Sequence, residues 1–305
     1  MFTNRTVYLN GTYVAWEEAT VHIMCHSIGR GSAIFEVLSL HKTQKGPAIF
    51  RLSDHITRLF SSAELLDMEL PLSEKDCIDA ILSTVKRNSV DQGYIKIICY
   101  YPDISFEILP PRKKTAMSVF IIDPTDDLPA HDTFNEMGSS LCISTWAKLD
   151  PRTVPVGAKV AANYLNGMMA RQEAAQRGFD FAIMLDMQGF IAEGGTESIF
   201  LIKNGTIMTP ALGTVLDSIT RKSILEASMV HGINYEEGRF SPELLYIADE
   251  IFLSGTPAKV LPVSRMEERH IENTPGPLTM KISSVMDDIV AGRDGRFIHW
   301  LFPVE

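Results

Sequence analysis

Three side chains with complementary chemistry lie close together in the second half of the chain: Lys159, Tyr164 and Glu193. Lys159 stands in a run of small and apolar residues, and no other charged residue occurs between Arg152 and Arg171. Such surroundings favour the neutral form of a lysine amine, which is a nucleophile that condenses with aldehydes. The chemistry that this triplet suits is therefore the covalent capture of a carbonyl compound.

The aldehyde that a lysine, a phenol and a carboxylate serve together is pyridoxal phosphate. The lysine would form a Schiff base with it, the phenol would hydrogen-bond the ring hydroxyl, and the carboxylate would keep the pyridine nitrogen protonated. On spacing alone, a solvated lysine beside an ordinary helix explains the triplet at least as well, because such triplets are common by chance.

Motifs around these residues favour the cofactor. The run A-K-V-A-A-N-Y-L at 158–165 is followed by E-G-G-T-E-S-I-F at 193–200 and by I-T-R at 219–221. In these motifs the chain resembles the fold-type IV pyridoxal phosphate enzymes, and it fits their branched-chain amino acid aminotransferase group best. Similar segments recur from about Val21 to Val263, so the resemblance spans most of the chain.

The resemblance implies an α+β (α/β) fold with two domains, similar to D-amino-acid aminotransferase. The N-terminal domain would be small and α/β, and the larger C-terminal domain would have a mixed, β-barrel-like core. A chain of 305 residues with 45% hydrophobic content is long enough for both. We predict the small domain at 1–122, an interdomain linker at 123–138 and the cofactor-binding domain at 139–305.

The resemblance also implies which residues bind the cofactor. Lys159 would be the catalytic residue and carry the aldehyde, Tyr164 would contact the ring oxygen, and Glu193 the ring nitrogen. The motif F-R-x-x-x-H-x-x-R-L begins at Phe50 and makes Arg58 the matching phosphate ligand. The other residues implied at the cofactor lie in two later turns: Leu216, and at the phosphate Ile219, Thr220 and Thr256.

Five residues are implied at the substrate by the same resemblance: Phe35, Val37, Lys96, Pro257 and Ala258. Branched-chain members have F-E-G-I-R where this chain has F-E-V-L-S at 35–39, so a valine narrows the pocket and a serine removes a cation. Pro257 lacks an N–H and removes one donor from its turn. Lys96, where those members often carry an arginine, is either a weaker carboxylate contact or the polar end of an edge strand.

Several local patterns predict how the chain positions these residues. Ser53 is expected to cap a helix that runs to about Leu66, and Ser218 to cap a helix whose first N–H groups face the phosphate. Asp217 departs from the family pattern there, because a carboxylate beside a phosphate is repulsive unless it turns away. The helix that begins at Tyr164 is expected to bury three apolar side chains: Leu165, Met168 and Met169.

The function that the resemblance implies is transfer of an amino group between an amino acid, a branched-chain L-amino acid above all, and a 2-oxo acid such as 2-oxoglutarate. The departures at the substrate residues leave three alternatives on the same fold: a D-amino-acid transaminase, an (R)-amine transaminase and an aminodeoxychorismate lyase. A binding protein without catalytic activity is a further alternative.

Composition limits the partners and the compartment. A net charge of −10 and a pI near 5.3 argue against a nucleic-acid surface, and no apolar run reaches the ~20 residues that span a bilayer. The N-terminus lacks a signal-peptide pattern, and four scattered cysteines are typical of reduced thiols in a cytoplasmic protein.

His22, Cys25 and His26 fit no zinc spacing, so no metal is expected. The family resemblance implies a homodimer.

Overall fold

The computed structural model describes residues 4–128 and 138–304, which divide into two compact units. Of these residues, unit 1 contains 4–128, 158–162 and 289–304, and unit 2 contains 138–157 and 163–288. The predicted linker at 123–138 falls largely outside the described residues. The predicted C-terminal domain included 158–162 and 289–304, whereas the contacts of both segments assign them to unit 1.

Unit 1 is built on a seven-stranded antiparallel sheet. Its strands are β1 (Thr6–Leu9), β2 (Thr12–Ala15), β3 (Ile34–Thr43), β4 (Gly46–Phe50), β5 (Gly93–Tyr100), β6 (Ala116–Ile122) and β16 (Leu301–Pro303). They lie in the order β16-β4-β3-β5-β6-β1-β2. The helices of the unit are α1 (His26–Arg30), α2 (Leu52–Leu65), α3 (Glu74–Asn88) and α4 (Pro124–Asp127). Because β16 pairs with β4, the end of the chain belongs to this unit.

The central strand β3 has two chemically different faces. Side chains alternate along a strand, so Ile34, Glu36 and Leu38 share one face, and Phe35 and Val37 share the other. The first face packs against α2 and contributes to the hydrophobic core of the unit. Helix α2 begins at Leu52 after Arg51, not with Ser53 as its cap, because Arg51 is the flanking residue and adopts a left-handed conformation.

Unit 2 contains a nine-stranded mixed sheet. Its strands are β7 (Ser139–Ile143), β8 (Phe181–Leu185), β9 (Ile191–Gly194), β10 (Ser198–Lys203), β11 (Thr206–Pro210), β12 (Tyr235–Gly238), β13 (Glu250–Ser254), β14 (Leu261–Met266) and β15 (Arg269–His270). They lie in the order β12-β11-β10-β13-β14-β7-β8-β9, with β15 paired to β14. Strand β9 at one end also contacts β10 and β11 near the other end, so the sheet curls. This is the mixed, barrel-like core expected for the C-terminal domain.

The helices of unit 2 are α5 (Tyr164–Gln176), α6 (Ile219–Val230) and α7 (Glu243–Ile247), and α8 (Pro277–Val290) leads the chain back to unit 1. Helix α5 does not bury the side chains expected from its sequence. Leu165 and Met168 are exposed, and the buried residues are Gly167, Ala170 and Ala174. Small residues form the buried face because the helix approaches the neighbouring backbone too closely for longer side chains.

Across the described parts of the chain, helices are too short or too polar to cross a bilayer.

Candidate active site

The segment that carries Lys159 lies beside the first residues of β3. The carbonyl of Lys159 accepts a hydrogen bond from the Phe35 N–H at 3.1 Å, and its N–H donates to Ser62 Oγ at 3.1 Å. The flanking residues Ala158 and Val160 are buried in the core of unit 1. The backbone of the lysine is therefore fixed on both sides, while its Nζ lies 4.9 Å from the centre of the Phe35 ring.

Arg58 is held by a buried carboxylate that the sequence analysis did not single out. Glu36, on the helix-facing side of β3, accepts hydrogen bonds from Arg58 Nε at 2.7 Å and from Arg58 Nη2 at 2.8 Å. His55 Nδ1 lies 2.7 Å from Oε2 of the same carboxylate. Glu36 is fully buried, so one edge of the guanidinium is fixed in place by a bidentate pair.

The charges in this cluster set its protonation states. Burial alone would raise the pKa of Glu36, but Arg58 and His55 oppose it and lower the pKa to about 2. Burial lowers the pKa of His55, and the positive charges of Arg58 and Lys159 act in the same direction, against the attraction of Glu36. We conclude that the cluster holds one ionised carboxylate, one arginine cation and a neutral imidazole.

The opposite face of the same sheet carries the residues expected at the substrate. Lys96 lies directly across from Val37, and its Nζ is 5.2 Å from the centre of the Phe35 ring. Strand β5 is flanked by β3 and β6, so Lys96 is not at the end of an edge strand and that interpretation is wrong. Burial lowers the pKa of Lys96. Ser39, on the same face, is buried and lies 2.8 Å from His41 Nε2.

In unit 2, Glu193 is a buried residue of β9 with a lysine at hydrogen-bond distance. Lys148 Nζ lies 2.6 Å from Glu193 Oε1, and the side chains are 12% and 11% exposed. The Leu216 N–H donates to the same oxygen at 3.4 Å. The structure therefore brings together two of the residues predicted at the cofactor, Glu193 and Leu216.

Tyr164 and Glu193 are linked within unit 2 by two glycines in contact. Tyr164 is the first residue of α5, and Gly167 lies one turn later. A Cβ added at Gly167 would lie 2.2 Å from the carbonyl oxygen of Gly195, which follows Glu193 by two residues. The turn after β9 therefore packs directly on the first turn of the helix, and this contact fixes the phenol-bearing helix relative to the acidic strand.

Helix α6 begins as the sequence predicts. Ser218 is its N-cap, and the Ser218 side chain accepts from the Arg221 N–H at 3.3 Å. Ile219 and Thr220 are buried, and their N–H groups, like those of any first turn, have no acceptor within the helix. Asp217 is exposed to solvent, which is the orientation that avoids repulsion of an anion at this end.

The turn at 254–258 follows β13, which pairs with β10. The Gly255 N–H donates to the Ala258 carbonyl at 3.1 Å, and Pro257 is exposed. Ser254 Oγ, next to this turn, is buried and has no hydrogen-bond partner in the described chain.

These groups fit pyridoxal phosphate. Unit 2 offers a buried carboxylate, Glu193, that suits a protonated ring nitrogen, and a phenol, Tyr164. It also offers the N-terminus of α6 and the hydroxyls of Thr220 and Thr256, each of which suits a phosphate. Unit 1 offers an amine whose backbone is fixed and an arginine with a planar fork. The described residues contain no group of three or more His, Cys, Asp and Glu placed to hold a metal ion.

A profile of the family described as "Amino-transferase class IV" matches residues 33–266, which is most of the chain. The chain belongs to this family. Two relatives cover almost all of this aminotransferase. The branched-chain-amino-acid aminotransferase of Salmonella typhimurium is 31% identical over 300 residues, covering 98% of this chain and 97% of its own length. That of Pseudomonas aeruginosa is 32% identical over 297 residues, covering 96% and 95%.

Solved structures agree with the sequence relatives. The branched-chain aminotransferase of Thermoproteus uzoniensis with norvaline has a TM-score of 0.93 and 31% identity, covering 99% of both chains. The branched-chain amino acid aminotransferase of Thermobaculum terrenum, solved in its PLP-form (holo-form), has a TM-score of 0.90 and 28% identity, covering 100% of both.

The comparisons confirm the predicted family, the fold-type IV fold and the aminotransferase activity with pyridoxal phosphate as cofactor. An aminotransferase acts on an amino donor and an oxo acid acceptor, so the alternative of a non-catalytic binding protein is wrong.

Three residues that the site needs were missed from sequence. Glu36 and His55 lie inside the quoted motifs F-E-V-L-S and F-R-x-x-x-H-x-x-R-L, so the motif letters contained a signal that was assigned no role. Lys148 lies in a loop before Lys159 and shows no periodicity or spacing that would mark it. Only the tertiary contact with Glu193 distinguishes it from a solvated lysine.

Proposed function

We propose that this aminotransferase moves the amino group of a branched-chain L-amino acid to a 2-oxo acid such as 2-oxoglutarate. Its relatives named branched-chain-amino-acid aminotransferases match along nearly the whole chain, which supports this substrate class. The single observation of the structure that carries the proposal is Lys159: its backbone is fixed by Phe35 and Ser62, and its amine lies against the Phe35 ring.

Each predicted residue has a role in this proposal. Bound pyridoxal phosphate supplies an aldehyde that takes up the substrate amine and a ring that accepts the electron pair left at the α-carbon. Lys159 is its covalent anchor and, once displaced, moves the proton at the substrate Cα as general acid–base. Glu193 accepts a hydrogen bond from the ring nitrogen and keeps that nitrogen charged. The phenol of Tyr164 forms a hydrogen bond with the ring hydroxyl of the cofactor.

The phosphate is assigned to four residues: Arg58, Ile219, Thr220 and Thr256. Leu216, whose N–H donates to Glu193 Oε1, is assigned to the cofactor beside that carboxylate. Glu36 accepts from Nε and Nη2 of Arg58, and this bidentate pair fixes the plane of the guanidinium that we assign to the phosphate. Ile219 and Thr220 contribute the N–H groups of the first turn of α6, where the helix dipole favours negative charge.

The substrate is assigned to Phe35, Val37, Lys96, Pro257 and Ala258. Phe35 and Val37 present an aromatic ring and a branched apolar side chain, which suit an apolar substrate side chain. Lys96 supplies a partly buried cation on the same face of the sheet, where it suits a carboxylate.

A second candidate is a D-amino-acid or (R)-amine transaminase. The observation that favours it is Ser39, which replaces the arginine of branched-chain members and is buried against His41. Strand β3 therefore presents a serine hydroxyl where those members carry the cation of an arginine, and a substrate carboxylate is bound more weakly there.

Replacing Lys159 tests the chemistry. Lys159→Ala is expected to have no measurable turnover and no covalent cofactor, because the amine is the nucleophile. Borohydride reduction of the wild-type enzyme followed by mass spectrometry should place the adduct on the Lys159 peptide. Lys45→Ala, at an exposed turn lysine, should behave as wild type. An adduct on another lysine would refute the assignment.

A half-reaction screen tests the substrate. L-leucine, L-isoleucine, D-alanine, L-glutamate and (R)-1-phenylethylamine are each mixed with the enzyme, and conversion of the cofactor to its amine form is followed by absorbance. Rapid conversion by L-leucine and L-isoleucine is the expected result. Conversion by D-alanine alone or by (R)-1-phenylethylamine alone would select the second candidate. Release of pyruvate from aminodeoxychorismate without an amino acceptor would select the lyase.

A homodimer is the assembly we propose, because unit 1 exposes a group of large apolar side chains that a second copy would cover. They are 53–82% exposed: Ile23, Ile28, Ile104, Phe106, Ile108 and Leu109. Light scattering should give twice the chain mass, and Phe106→Asp should shift the equilibrium towards monomer. A monomeric wild-type enzyme would contradict this. The four buried free thiols support a cytoplasmic location, which cell fractionation would test.

A further inference from the structure

Lys148 is a largely enclosed cation to which the proposed chemistry assigns no role. Its Nζ lies 2.6 Å from Glu193 Oε1, and its side chain is 12% exposed. Ordering and desolvating a lysine is unfavourable unless its charge is paired, so the ion pair with Glu193 is what offsets the cost of placing Lys148 here.

The backbone around Lys148 is clamped. The Lys148 N–H donates to the Leu185 carbonyl of β8 at 2.8 Å. Asn166, on the first turns of α5, holds both neighbours, because its Oδ1 accepts from the Leu149 N–H at 3.2 Å and its Nδ2 donates to the Ala147 carbonyl at 3.0 Å. The lysine is therefore aimed by the helix that begins with Tyr164, and its reach to Glu193 does not depend on a flexible loop.

The two oxygens of Glu193 are used unequally. Both contacts of its carboxylate, with Lys148 Nζ and with the Leu216 N–H, fall on Oε1. Within residues 4–128 and 138–304, Oε2 accepts no hydrogen bond. A carboxylate fixed through one oxygen presents the other in a defined direction, which is the arrangement that a single N–H donor of a ligand requires.

We infer that Lys148 is a positioning residue that fixes the carboxylate of Glu193 through Oε1 and so leaves Oε2 to face the ring nitrogen of the cofactor. Without the lysine, the carboxylate loses the contact that fixes its orientation. A misoriented carboxylate cannot hold the ring nitrogen in its charged form. The inference rests on the role proposed above for Glu193.

The test compares cofactor affinity and the absorbance spectrum of the bound cofactor in Lys148→Met, Lys148→Arg and the wild type. In Lys148→Met, pyridoxal phosphate should bind about tenfold more weakly or worse, the effect of losing one charge-assisted hydrogen bond. Its spectrum should also shift, because absorbance depends on the protonation of the ring. Lys148→Arg should restore both.

Lys203→Met is the matched control. Lys203 Nζ pairs with Asp249 Oδ1 at 2.8 Å in the same unit, outside the proposed site, with side chains 33% and 48% exposed. The Lys203→Met variant should bind pyridoxal phosphate with the affinity of the wild type. Circular dichroism of each variant separates misfolding from the effect sought, and Asn166→Ala, which releases the clamp without removing the charge, should weaken binding less than Lys148→Met.

The double variant decides between an action through Glu193 and a direct one. In a Glu193→Gln background, Lys148→Met should add little further loss, because the group that the lysine positions has gone. Wild-type affinity and spectrum in Lys148→Met, or a full additional loss in the double variant, would overturn the inference. Wild-type behaviour of Glu193→Gln itself would instead refute the proposed role of Glu193.

Discussion

In each unit, a residue that we assign to the cofactor forms an ion pair with little solvent exposure, and the signs of the charges are reversed between the two pairs. In unit 1 the assigned group is the cation Arg58, and the carboxylate of Glu36 holds it. In unit 2 the assigned group is the carboxylate of Glu193, and Lys148 holds it. Both arrangements place a counter-charge beside a group whose ionisation the chemistry needs.

The difference lies in how completely each pair is satisfied. Glu36 uses both oxygens, is fully buried, and has His55 as a third partner. Glu193 uses one oxygen and keeps some exposure. The pair in unit 1 is therefore a rigid clamp that contributes to stability, whereas the pair in unit 2 leaves acceptor capacity for a ligand.

The largest effect on stability is expected from Glu36→Gln. The substitution removes the charge that neutralises Arg58 in the interior, and breaking one partner of a buried pair costs about 3–5 kcal/mol of unfolding free energy. Urea unfolding followed by circular dichroism measures this. Lys148→Met should lower the unfolding free energy by less in the same experiment, since Glu193 is more accessible to solvent than Glu36. An equal or larger loss of unfolding free energy in Lys148→Met would show that the two pairs do not differ in this way.

A pH titration of stability should report the same cluster. The pKa of Glu36 falls from 4.5 to about 2 on folding, so its contribution, ~3 kcal/mol, is present above pH 4.5 and is lost as the pH falls towards 2. Burial lowers the pKa of His55, so the unfolded chain binds a proton below about pH 6.5 that the folded chain resists, and stability also falls there. Glu36→Gln should flatten the acid part of the curve; a wild-type slope in the variant would contradict the assignment.

Gly167→Ala is expected to cost about 1–3 kcal/mol, the range for overpacking, because its methyl carbon would lie 2.2 Å from the Gly195 carbonyl. The same displacement should weaken cofactor binding, since it separates the helix of Tyr164 from the strand of Glu193. Thermal unfolding and cofactor titration measure the two effects. Gly157→Ala, in the same unit with no atom within 4 Å of the added carbon, is the control and should be neutral in both.

The smallest effect is expected from the exposed pair of unit 2. Lys203→Met removes an ion pair that solvent screens, so the unfolding free energy should change by no more than about 1 kcal/mol. A loss comparable to that of Lys148→Met in urea unfolding would show that burial does not separate the two lysines.

Local features were predictable from sequence. Ser218 caps α6 as expected, because a cap depends on one side chain and the N–H groups a few residues away. Lys159, Arg58 and Glu193 were located through motifs, and their roles remain predictions that the experiments above test. The valine and serine on β3 were also visible directly in the sequence.

Features that depend on distant backbone were not predictable. The buried face of α5 consists of small residues because Gly195, far along the chain, approaches Gly167, and apolar spacing alone favoured the exposed Leu165 and Met168. Lys96 was compatible with an edge strand until the strand order placed β5 in the interior. Lys148 had no local signal, because it lies in a loop and its partner Glu193 lies on β9, far along the chain.

The five residues 158–162 belong to unit 1, although the chain on both sides of them belongs to unit 2. Residues 289–304 also belong to unit 1, so unit 1 consists of three separate segments of the described chain and unit 2 of two. A gene fragment that stops before this loop would therefore encode β3 without the segment that hydrogen-bonds its first residues, and without the reactive lysine. No single boundary in the sequence therefore separates the two units, and a fragment that contains one whole unit also contains chain from the other.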